Sequence, residues 1–405
     1  MGSFRNRIRI SEILNVSKII TYGIVQPGSH DPKGVYMIRS QDYSRGWSDL
    51  GKMYRVSAEV DRPYERSRVR SGDILITVVG ANIGKIAVVP ETLDGANISR
   101  SVARISVNSR KANSTFVKLL LESQVEKLVY VNQVGGAQPV LNLKDLGKFE
   151  IPYPSLKEQS KIAEILSTWD EAIEQTQKLI EQLKQRKKGL MQQLLTGKKR
   201  LKGFSGEWGS VKMKDLFEEV RDRNDGGDHE PLTISAKSGF ISQKMKFDKI
   251  IAGSSLSKYI KLQKGDFSYN KGNSKTYQMG CVFLLEKFDT AVVPFVYISF
   301  RKKGGVHNVF YKHWFAAHGL DRQLKAIITS GARGDGLLNV NKRDFFNLIV
   351  PQLPLDEQIE IASVIENATH EINRHEEKLN LLIEQKKGLM QQLLTGQKRV
   401  TIKSK

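Results

Sequence analysis

Two runs of this chain resemble catalytic or metal-binding motifs, but neither motif is complete. The run closest to a nucleotide-binding loop is Gly80–Ile86, GANIGKI. A P-loop needs four residues between its first glycine and Gly-Lys and then Ser or Thr, whereas this run has three and ends in Ile. His307, His313 and His318 lie close in sequence but lack the spacing of a zinc-binding HExxH helix. The sequence therefore predicts no catalytic residue and no metal ligand in this chain.

Basic side chains interleaved with aromatic and amide side chains are abundant, and they recur in similar loops of two segments. Arg and Lys neutralise phosphates, while Arg, Asn and Gln make bidentate contacts to guanine or adenine. Any one cluster is equally well explained as an ordinary solvated surface. The recurrence favours DNA contact. The candidate residues are Arg39, Gln41, Tyr43, Arg45, Arg66, Arg68, Asn82, Lys85, Lys237, Asn270, Lys271, Asn273, Lys275, Tyr277 and Arg333.

An internal repeat indicates the elements that must position these loops. The run KKGLMQQLLTG occupies Lys187–Gly197 and returns, letter for letter, at Lys386–Gly396. The same offset aligns Glu158-Gln159 with Glu357-Gln358 without a gap. Prolines precede each copy and a glycine closes it, as at the start and end of a helix. The sequence thus predicts two long helices of closely similar sequence.

Apolar residues in both predicted helices recur four and three positions apart, the spacing of a left-handed coiled coil. The obvious partner of each helix is the other copy; the alternative is two surface helices that each pack only on a neighbouring domain. Lys198-Lys199-Arg200 and Lys398-Arg399 follow the helices, where phosphate contact and plain solubility are equally good interpretations. The predicted contact positions are Ile162, Leu166, Trp169, Ile173, Ile180, Leu183, Leu190, Leu194, Ile361, Ile365, Ile372, Leu379, Leu382, Leu389 and Leu393.

The two segments outside the helices open alike, Ile8–Leu14 against Val211–Phe217, and then diverge. Helices are predicted in them at Ser114–Val131 and Lys312–Thr329. The predicted fold class is α+β, with two mixed α/β domains joined by two long antiparallel coiled-coil helices in a pseudo-two-fold arrangement. The predicted boundaries are 1–151 and 201–350 for the domains, and 152–200 and 351–405 for the helical segments.

The charge balance narrows the class of partner. Sixty-four Lys and Arg against 43 Asp and Glu give a formal charge of +21, which attracts polyanions. Cys281 is the one cysteine, so an intrachain disulfide is impossible. No apolar run is long enough for a signal peptide or a bilayer span. We expect a cytoplasmic protein of a bacterium or archaeon, with no membrane contact.

Twice in this chain, a Glu-Gln pair leads into a long helix that ends in GLMQQLLTG, and each helix follows one of two unlike domains. This pattern resembles the specificity subunit of type I restriction-modification enzymes. The resemblance covers the whole chain. It implies two target recognition domains that each read one half of an asymmetric, bipartite site in double-stranded DNA. It also implies that the helices space the half-sites and dock two modification (methyltransferase) subunits. S-adenosylmethionine, ATP and Mg²⁺ would then belong to these and to the restriction subunits, with no cofactor in this chain.

Two other functions remain open from the residues alone. A stand-alone, sequence-specific DNA-binding regulator would need a self-sufficient dimer and no methyltransferase partner. An enzyme, such as a nuclease with a diffuse motif, would show activity from this polypeptide by itself. The resemblance makes a different prediction: adding one or two turns to either helix changes the gap between the half-sites and leaves both half-sites unaltered.

Overall fold

The computed structural model of the protein describes residues 4–44, 46–131, 140–247, 253–272, 276–328 and 338–402. The chain divides into two compact units. Unit 1 comprises Met1–Gln177 and Glu377–Lys405, and unit 2 comprises Lys178–Glu376. Each unit therefore contains one mixed domain together with part of each long helix.

Unit 1 combines short strands with a few helices. Its strands are β1 (Arg7–Arg9), β2 (Thr21–Tyr22), β3 (Val35–Ile38), β4 (Arg55–Val56), β5 (Ile74–Thr77), β6 (Ile86–Val88), β7 (Asn97–Ile98), β8 (Val102–Ile105) and β9 (Glu150–Pro152). Its helices are α1 (Ala58–Asp61), α2 (Ser114–Val131) and α3 (Leu143–Lys148), and the long helix α4 (Leu156–Leu194) begins in it. The predicted bounds of α2 are confirmed.

Unit 2 is built in the same way. Its strands are β10 (Gly209–Lys212), β11 (Phe217–Glu219), β12 (Glu230–Ser235), β13 (Gly239–Ser242), β14 (Ile260–Gln263), β15 (Phe267–Asn270), β16 (Cys281–Leu284), β17 (Thr290–Val293), β18 (Ile298–Lys302) and β19 (Ile349–Gln352). Its helices are α5 (Met213–Leu216), α6 (Gln243–Phe247), α7 (Asn308–Ala316), α8 (Asp321–Ile327) and α9 (Lys342–Phe346), and the long helix α10 (Leu355–Thr395) begins in it.

The two domains share one strand topology. In unit 1 an antiparallel sheet has the order β2-β8-β5-β6, and in unit 2 the matching order is β11-β18-β15-β16. A second sheet pairs β3 with β7 in parallel, as β12 pairs with β17 in parallel. A two-stranded pair closes each domain, β1 with β9 and β10 with β19. The divergent sequences therefore fold on one plan, and unit 2 differs by an additional strand, β14, in its second sheet and by its loops.

The two long helices pack against each other in opposite directions within each unit. In unit 1, Ile162 and Leu166 from the start of α4 share a core with Leu393 near the end of α10. In unit 2, Leu194 at the end of α4 shares a core with Ile361 from the start of α10. The α+β fold class with paired long helices is thus confirmed, and the alternative of helices that pack only on a neighbouring domain is wrong.

The predicted helix-contact positions are all shielded from solvent at least in part. Those that are buried are Ile162, Leu166, Ile180, Leu183, Leu194, Ile361, Ile365, Ile372 and Leu393. Those that are half-buried are Trp169, Ile173, Leu190, Leu379, Leu382 and Leu389. The heptad spacing therefore identified the inward face of each helix.

Arginine at the end of each helical repeat forms an ion pair with the glutamate that opens the other helix. In unit 2, Arg200 donates to Glu357, with Nε 2.5 Å from Oε1 and Nη2 2.6 Å from Oε2. In unit 1, Arg399 donates to Glu158 over 2.6 and 2.8 Å. Both carboxylates are buried. These arginines therefore join the antiparallel helices, a role that neither phosphate contact nor solubility describes.

The glutamine that follows each glutamate ties the domain to its helix. The backbone N–H of Asn113, just before α2, donates to Gln159 Oε1 over 2.9 Å. The N–H of His307, just before α7, donates to Gln358 Oε1 over 2.8 Å. Side-chain oxygens that accept from free N–H groups at a helix start stabilise that start. Within the repeated Glu-Gln pair, the glutamate therefore joins the two helices and the glutamine joins its helix to the domain.

The single helix predicted at Lys312–Thr329 is wrong, because α7 and α8 are separate helices. His318 has φ of 63°, a left-handed conformation that ends an α-helix. At Gly319 an added Cβ would lie 2.5 Å from the Trp314 ring, so the chain turns where only glycine fits. Thr329 lies outside the described residues.

Candidate nucleic-acid interface

Three loops of unit 1 meet where β3, β5 and β7 end, and this region is called the loop end of unit 1. It comprises residues 39–44 with 46–47, 79–85 and 99–101. The N–H of Ser99 donates to the Ile38 carbonyl over 2.9 Å, and the N–H of Val78 donates to the Ser101 carbonyl over 2.8 Å. Because β3 and β7 are parallel, their following loops must leave from the same end of the sheet.

The first of these loops is held rigidly. Asp42 is buried and accepts from Arg39 Nε and Nη2 over 3.3 and 3.2 Å. The Tyr43 hydroxyl lies 2.7 Å from Thr77 Oγ1, and burial raises the pKa of that hydroxyl. Tyr43 thus belongs to the core, which argues against its predicted contact with DNA. Gln41 beside it is exposed.

The second loop presents Asn82, half-buried, and Lys85, exposed. A turn shapes it, in which the N–H of Lys85 donates to the Asn82 carbonyl over 3.1 Å. Gly84 has φ of 81°, and a Cβ there would meet the Val125 side chain at 2.8 Å. Glycine is therefore required at this position for the turn to pack on α2.

Two predicted residues of unit 1, Arg66 and Arg68, lie at the opposite end of the sheets. The N–H of Val69, which follows Arg68, donates to the carbonyl of Ala96, the residue just before β7. Arg68 is paired with Asp61, which is fully buried, and that hydrogen bond raises the pKa of Arg68. Arg66 is exposed. The structure thus separates these two arginines from the loop end.

Arg104 of β8 holds that second segment in place, a role the sequence did not reveal. Its Nη1 donates to the carbonyls of Arg66 and Arg68 over 2.7 and 2.8 Å. The side chain is almost fully buried, and burial lowers its pKa while Asp73 opposes this shift. A buried arginine that satisfies backbone carbonyls fixes the path of the chain above it.

The matching loops of unit 2 meet where β12, β15 and β17 end. This region, the loop end of unit 2, comprises residues 236–238, 270–272 with 276–280, and 294–297. Asn270 Nδ2 donates to the Ile234 carbonyl over 3.3 Å. The Tyr297 hydroxyl lies 3.1 Å from Thr233 Oγ1. These bonds join the second and third loops to the end of β12, from which the first loop continues.

The predicted residues of unit 2 serve different purposes there. Lys237 is exposed in the turn between β12 and β13. Lys271 Nζ donates to the Val340 carbonyl over 2.8 Å, and Asn270 Oδ1 accepts from the N–H of Gly272 over 3.0 Å, so both shape the loop. Tyr277 packs with its ring 5.1 Å from that of His318, and burial raises its pKa. Arg45, Asn273, Lys275 and Arg333 lie outside the described residues.

Known proteins with sequences similar to this chain are specificity subunits of type I restriction enzymes. A family profile described as "Type I restriction modification DNA specificity domain" matches residues 52–185. The EcoBI specificity subunit of Escherichia coli is 40% identical over 154 residues, which are 38% of this chain and 32% of that subunit. A proposed MjaX specificity subunit of Methanocaldococcus jannaschii is 25% identical over 99% of this chain and 96% of its own length. This chain is thus similar to type I specificity subunits, at 40% identity over part of its length and at 25% identity over almost all of it.

Solved structures of specificity subunits have the same fold. The S subunit of M. genitalium aligns with a TM-score of 0.55 and 14% identity, over 98% of this chain and 96% of that one. The HsdS subunit of Thermoanaerobacter tengcongensis aligns with a TM-score of 0.54 and 15% identity, over 96% of each chain. At this level of identity the likeness concerns the fold alone. The EcoBI match, by contrast, covers only about a third of that relative.

One loop at each loop end of this chain was missed by sequence reasoning. Arg100 is exposed in residues 99–101. Phe295 and Val296 are exposed in residues 294–297, by 48% and 37%. Neither loop carries a basic-aromatic run, so composition did not reveal them. Only the strand topology reveals these loops, because they connect β7 to β8 and β17 to β18, and β7 and β17 belong to the parallel pairs.

The histidines considered as ligands are dispersed. His313 Nε2 lies 2.6 Å from Glu366 Oε1, whereas His318 Nδ1 lies 2.9 Å from Asp321 Oδ2. In the part of the chain that the structure describes, no three His, Cys, Asp or Glu residues form a metal-binding group. No described helix is long and apolar enough to cross a membrane.

Proposed function

We propose that this chain is the DNA-reading subunit of a cytoplasmic type I restriction-modification complex. Each domain reads one half of a bipartite, asymmetric site in double-stranded DNA through its loop end. One observation carries this proposal: two domains of similar topology gather unlike loops at the same end of their sheets. A shared scaffold with different loops is what reading two different half-sites requires.

The paired helices act as spacer and docking surface. In both units the helices are joined to each other by the same arginine–glutamate pair and to the domain by the same glutamine. Because these contacts repeat, each unit offers a similar helical surface to a partner. Two copies of one modification subunit can use two similar surfaces, in the manner of a two-fold assembly.

The chemistry belongs to the partners under this proposal. The modification subunits hold S-adenosylmethionine and methylate adenine, and restriction subunits supply ATP-driven translocation and Mg²⁺-dependent cleavage. This chain contributes recognition only. The formal charge of +21 supports duplex binding by neutralising phosphates, which makes the affinity strongly salt-dependent.

Lengthening the helices tests the spacer role. One heptad of seven residues would be inserted after Gln177 in α4 and after Glu376 in α10, which preserves the facing sides of both helices. Seven helical residues add about 10 Å, which corresponds to roughly three base pairs of duplex. We expect methylome sequencing to show the same half-site letters with a gap longer by roughly that amount.

The same heptad appended after residue 402 is the control and should leave the gap unchanged. Altered half-site letters in the lengthened variant would contradict the spacer role. Co-purification from the host tests the partners separately, because a stand-alone regulator would bring down no methyltransferase.

A further inference from the structure

The two topologically matched loops at the loop ends have opposite chemical character. Residues 99–101 of unit 1 are Ser-Arg-Ser, and residues 294–297 of unit 2 are Pro-Phe-Val-Tyr. Each loop connects a strand of the parallel pair to the next strand, β7 to β8 and β17 to β18. One loop therefore presents a guanidinium where the other presents an aromatic ring.

The loop of unit 2 is held in a fixed shape. The N–H of Tyr297 donates to the Pro294 carbonyl over 3.1 Å, closing a turn. The Tyr297 side chain is buried, and its hydroxyl accepts from the N–H of Ile234 over 3.3 Å. Phe295 is consequently presented to solvent by an anchored turn, with 48% of the residue exposed.

The loop of unit 1 is anchored as firmly. The N–H of Arg100 donates to the Ile24 carbonyl over 2.9 Å, and the neighbouring Ser99 and Ser101 hydroxyls lie 2.9 Å apart. Arg100 itself is exposed. A long side chain on a fixed backbone can reach a ligand with little loss of loop entropy.

We infer that these loops contact DNA bases in two different ways, Phe295 through apolar contact in one half-site and Arg100 through polar contact in the other. The inference rests on the proposed function and deepens it. Phe295 shares its end of the sheets with the exposed Lys237, in a strongly cationic chain, which favours a duplex as the occupant.

The chemistry of base edges suits both side chains. An aromatic ring packs against a thymine methyl group or enters a base step and unstacks it. A guanidinium donates two hydrogen bonds to O6 and N7 of guanine. The two half-sites should therefore differ in kind, with a guanine contact in one and a thymine or a deformable step in the other.

Selection from random duplexes tests this inference, using the full chain purified from its host with the subunits it holds. We expect Phe295→Ala to lose base preference at one or two adjacent positions of a single half-site. We expect Arg100→Ala to do so in the other half-site. Each should weaken binding to the selected site roughly tenfold.

Matched controls come from the opposite ends of the same domains. Met245→Ala removes an 84% exposed apolar residue after β13, and Arg110→Ala removes an exposed arginine after β8. Both controls should keep the selected site and its affinity. A 2-aminopurine probe that brightens with wild type and not with Phe295→Ala indicates an opened base step. Weaker binding when thymine is replaced by uracil indicates methyl contact.

The inference is overturned if Phe295→Ala and Arg100→Ala keep the wild-type letters and affinity, or if both alter the same half-site. A wild-type complex that selects no bipartite sequence overturns the proposed function as well. These outcomes are distinct, because the first leaves a wild-type motif in place.

Discussion

Removing the arginine that joins the two helices should cost much more stability in unit 2 than in unit 1. Glu357 is fully buried and its partner Arg200 has only 18% of its side chain exposed. Glu357 Oε2 also lies 3.2 Å from the Trp208 indole nitrogen, which donates to it. Arg200→Met leaves this carboxylate buried without its cation, for which we expect a loss of about 3–5 kcal/mol.

The repeat provides a matched variant. Arg399 makes the same pair with Glu158, but 60% of its side chain is exposed to solvent. Glu158 is itself buried, but we expect water from around the exposed Arg399 to reach its carboxylate once the guanidinium is removed, so Arg399→Met should cost only about 1–2 kcal/mol. The double variant Arg200→Met with Glu357→Gln should recover part of the loss, since the buried charge is gone.

Urea unfolding followed by tryptophan fluorescence measures these differences, because Trp208 lies beside Glu357 in unit 2. Each variant is compared with wild type at constant denaturant slope. Equal costs for Arg200→Met and Arg399→Met, or a larger cost for Arg399→Met, would show that burial of the arginine does not set the strength of these ion pairs.

Three further predictions concern the stability of variants at Gly396, His313 and Thr369. Gly396→Ala should lower the free energy of unfolding by about 2 kcal/mol or more, because φ is 78° and the added Cβ would lie 2.8 Å from the Phe4 nitrogen. Gly388 lies in a helix with open space beside it, so Gly388→Ala should raise the free energy of unfolding by about 1 kcal/mol. Urea unfolding measures both changes. Burial lowers the pKa of His313 from 6.5 to about 4, so below pH 6.5 the unfolded chain binds a proton that the folded protein does not. The stability that is present above pH 6.5 is therefore lost as the pH falls toward 4. Thermal unfolding at stepped pH should show a melting temperature that falls over this range, and His313→Gln should reduce that fall. Thr369 of α10 lines a groove together with Lys184, Lys187 and Lys188 of α4; Thr369→Asp places a carboxylate there and should raise the melting temperature at low salt but less at high salt.

The long helices and their inward faces could be predicted because they depend on local periodicity. The bounds of the helix Ser114–Val131 were also predicted from the sequence and are confirmed. The break at His318 could not be predicted, since it depends on the Trp314 ring packing where a side chain at Gly319 would lie. Local sequence also suggested that Tyr43 was a surface residue, whereas its hydroxyl is paired with Thr77 inside the core.

The composition of the loop ends could be predicted only in part. Gln41, Lys85 and Lys237 lie in polar runs and are exposed as expected. Arg100 and Phe295 stand in short connections without any such run, and the parallel pairing of distant strands brings them there. The ion pairs of Arg200 and Arg399 join residues 157 and 241 positions apart, which no local pattern reports.

Methylome sequencing of cells that carry this chain with its modification subunits is the most direct test of the account. The predicted result is one asymmetric methylated motif with two unlike half-sites and a constant gap, which disappears when this gene is deleted. A continuous or palindromic motif, or a methylome unchanged by the deletion, would contradict the assignment of one half-site to each domain.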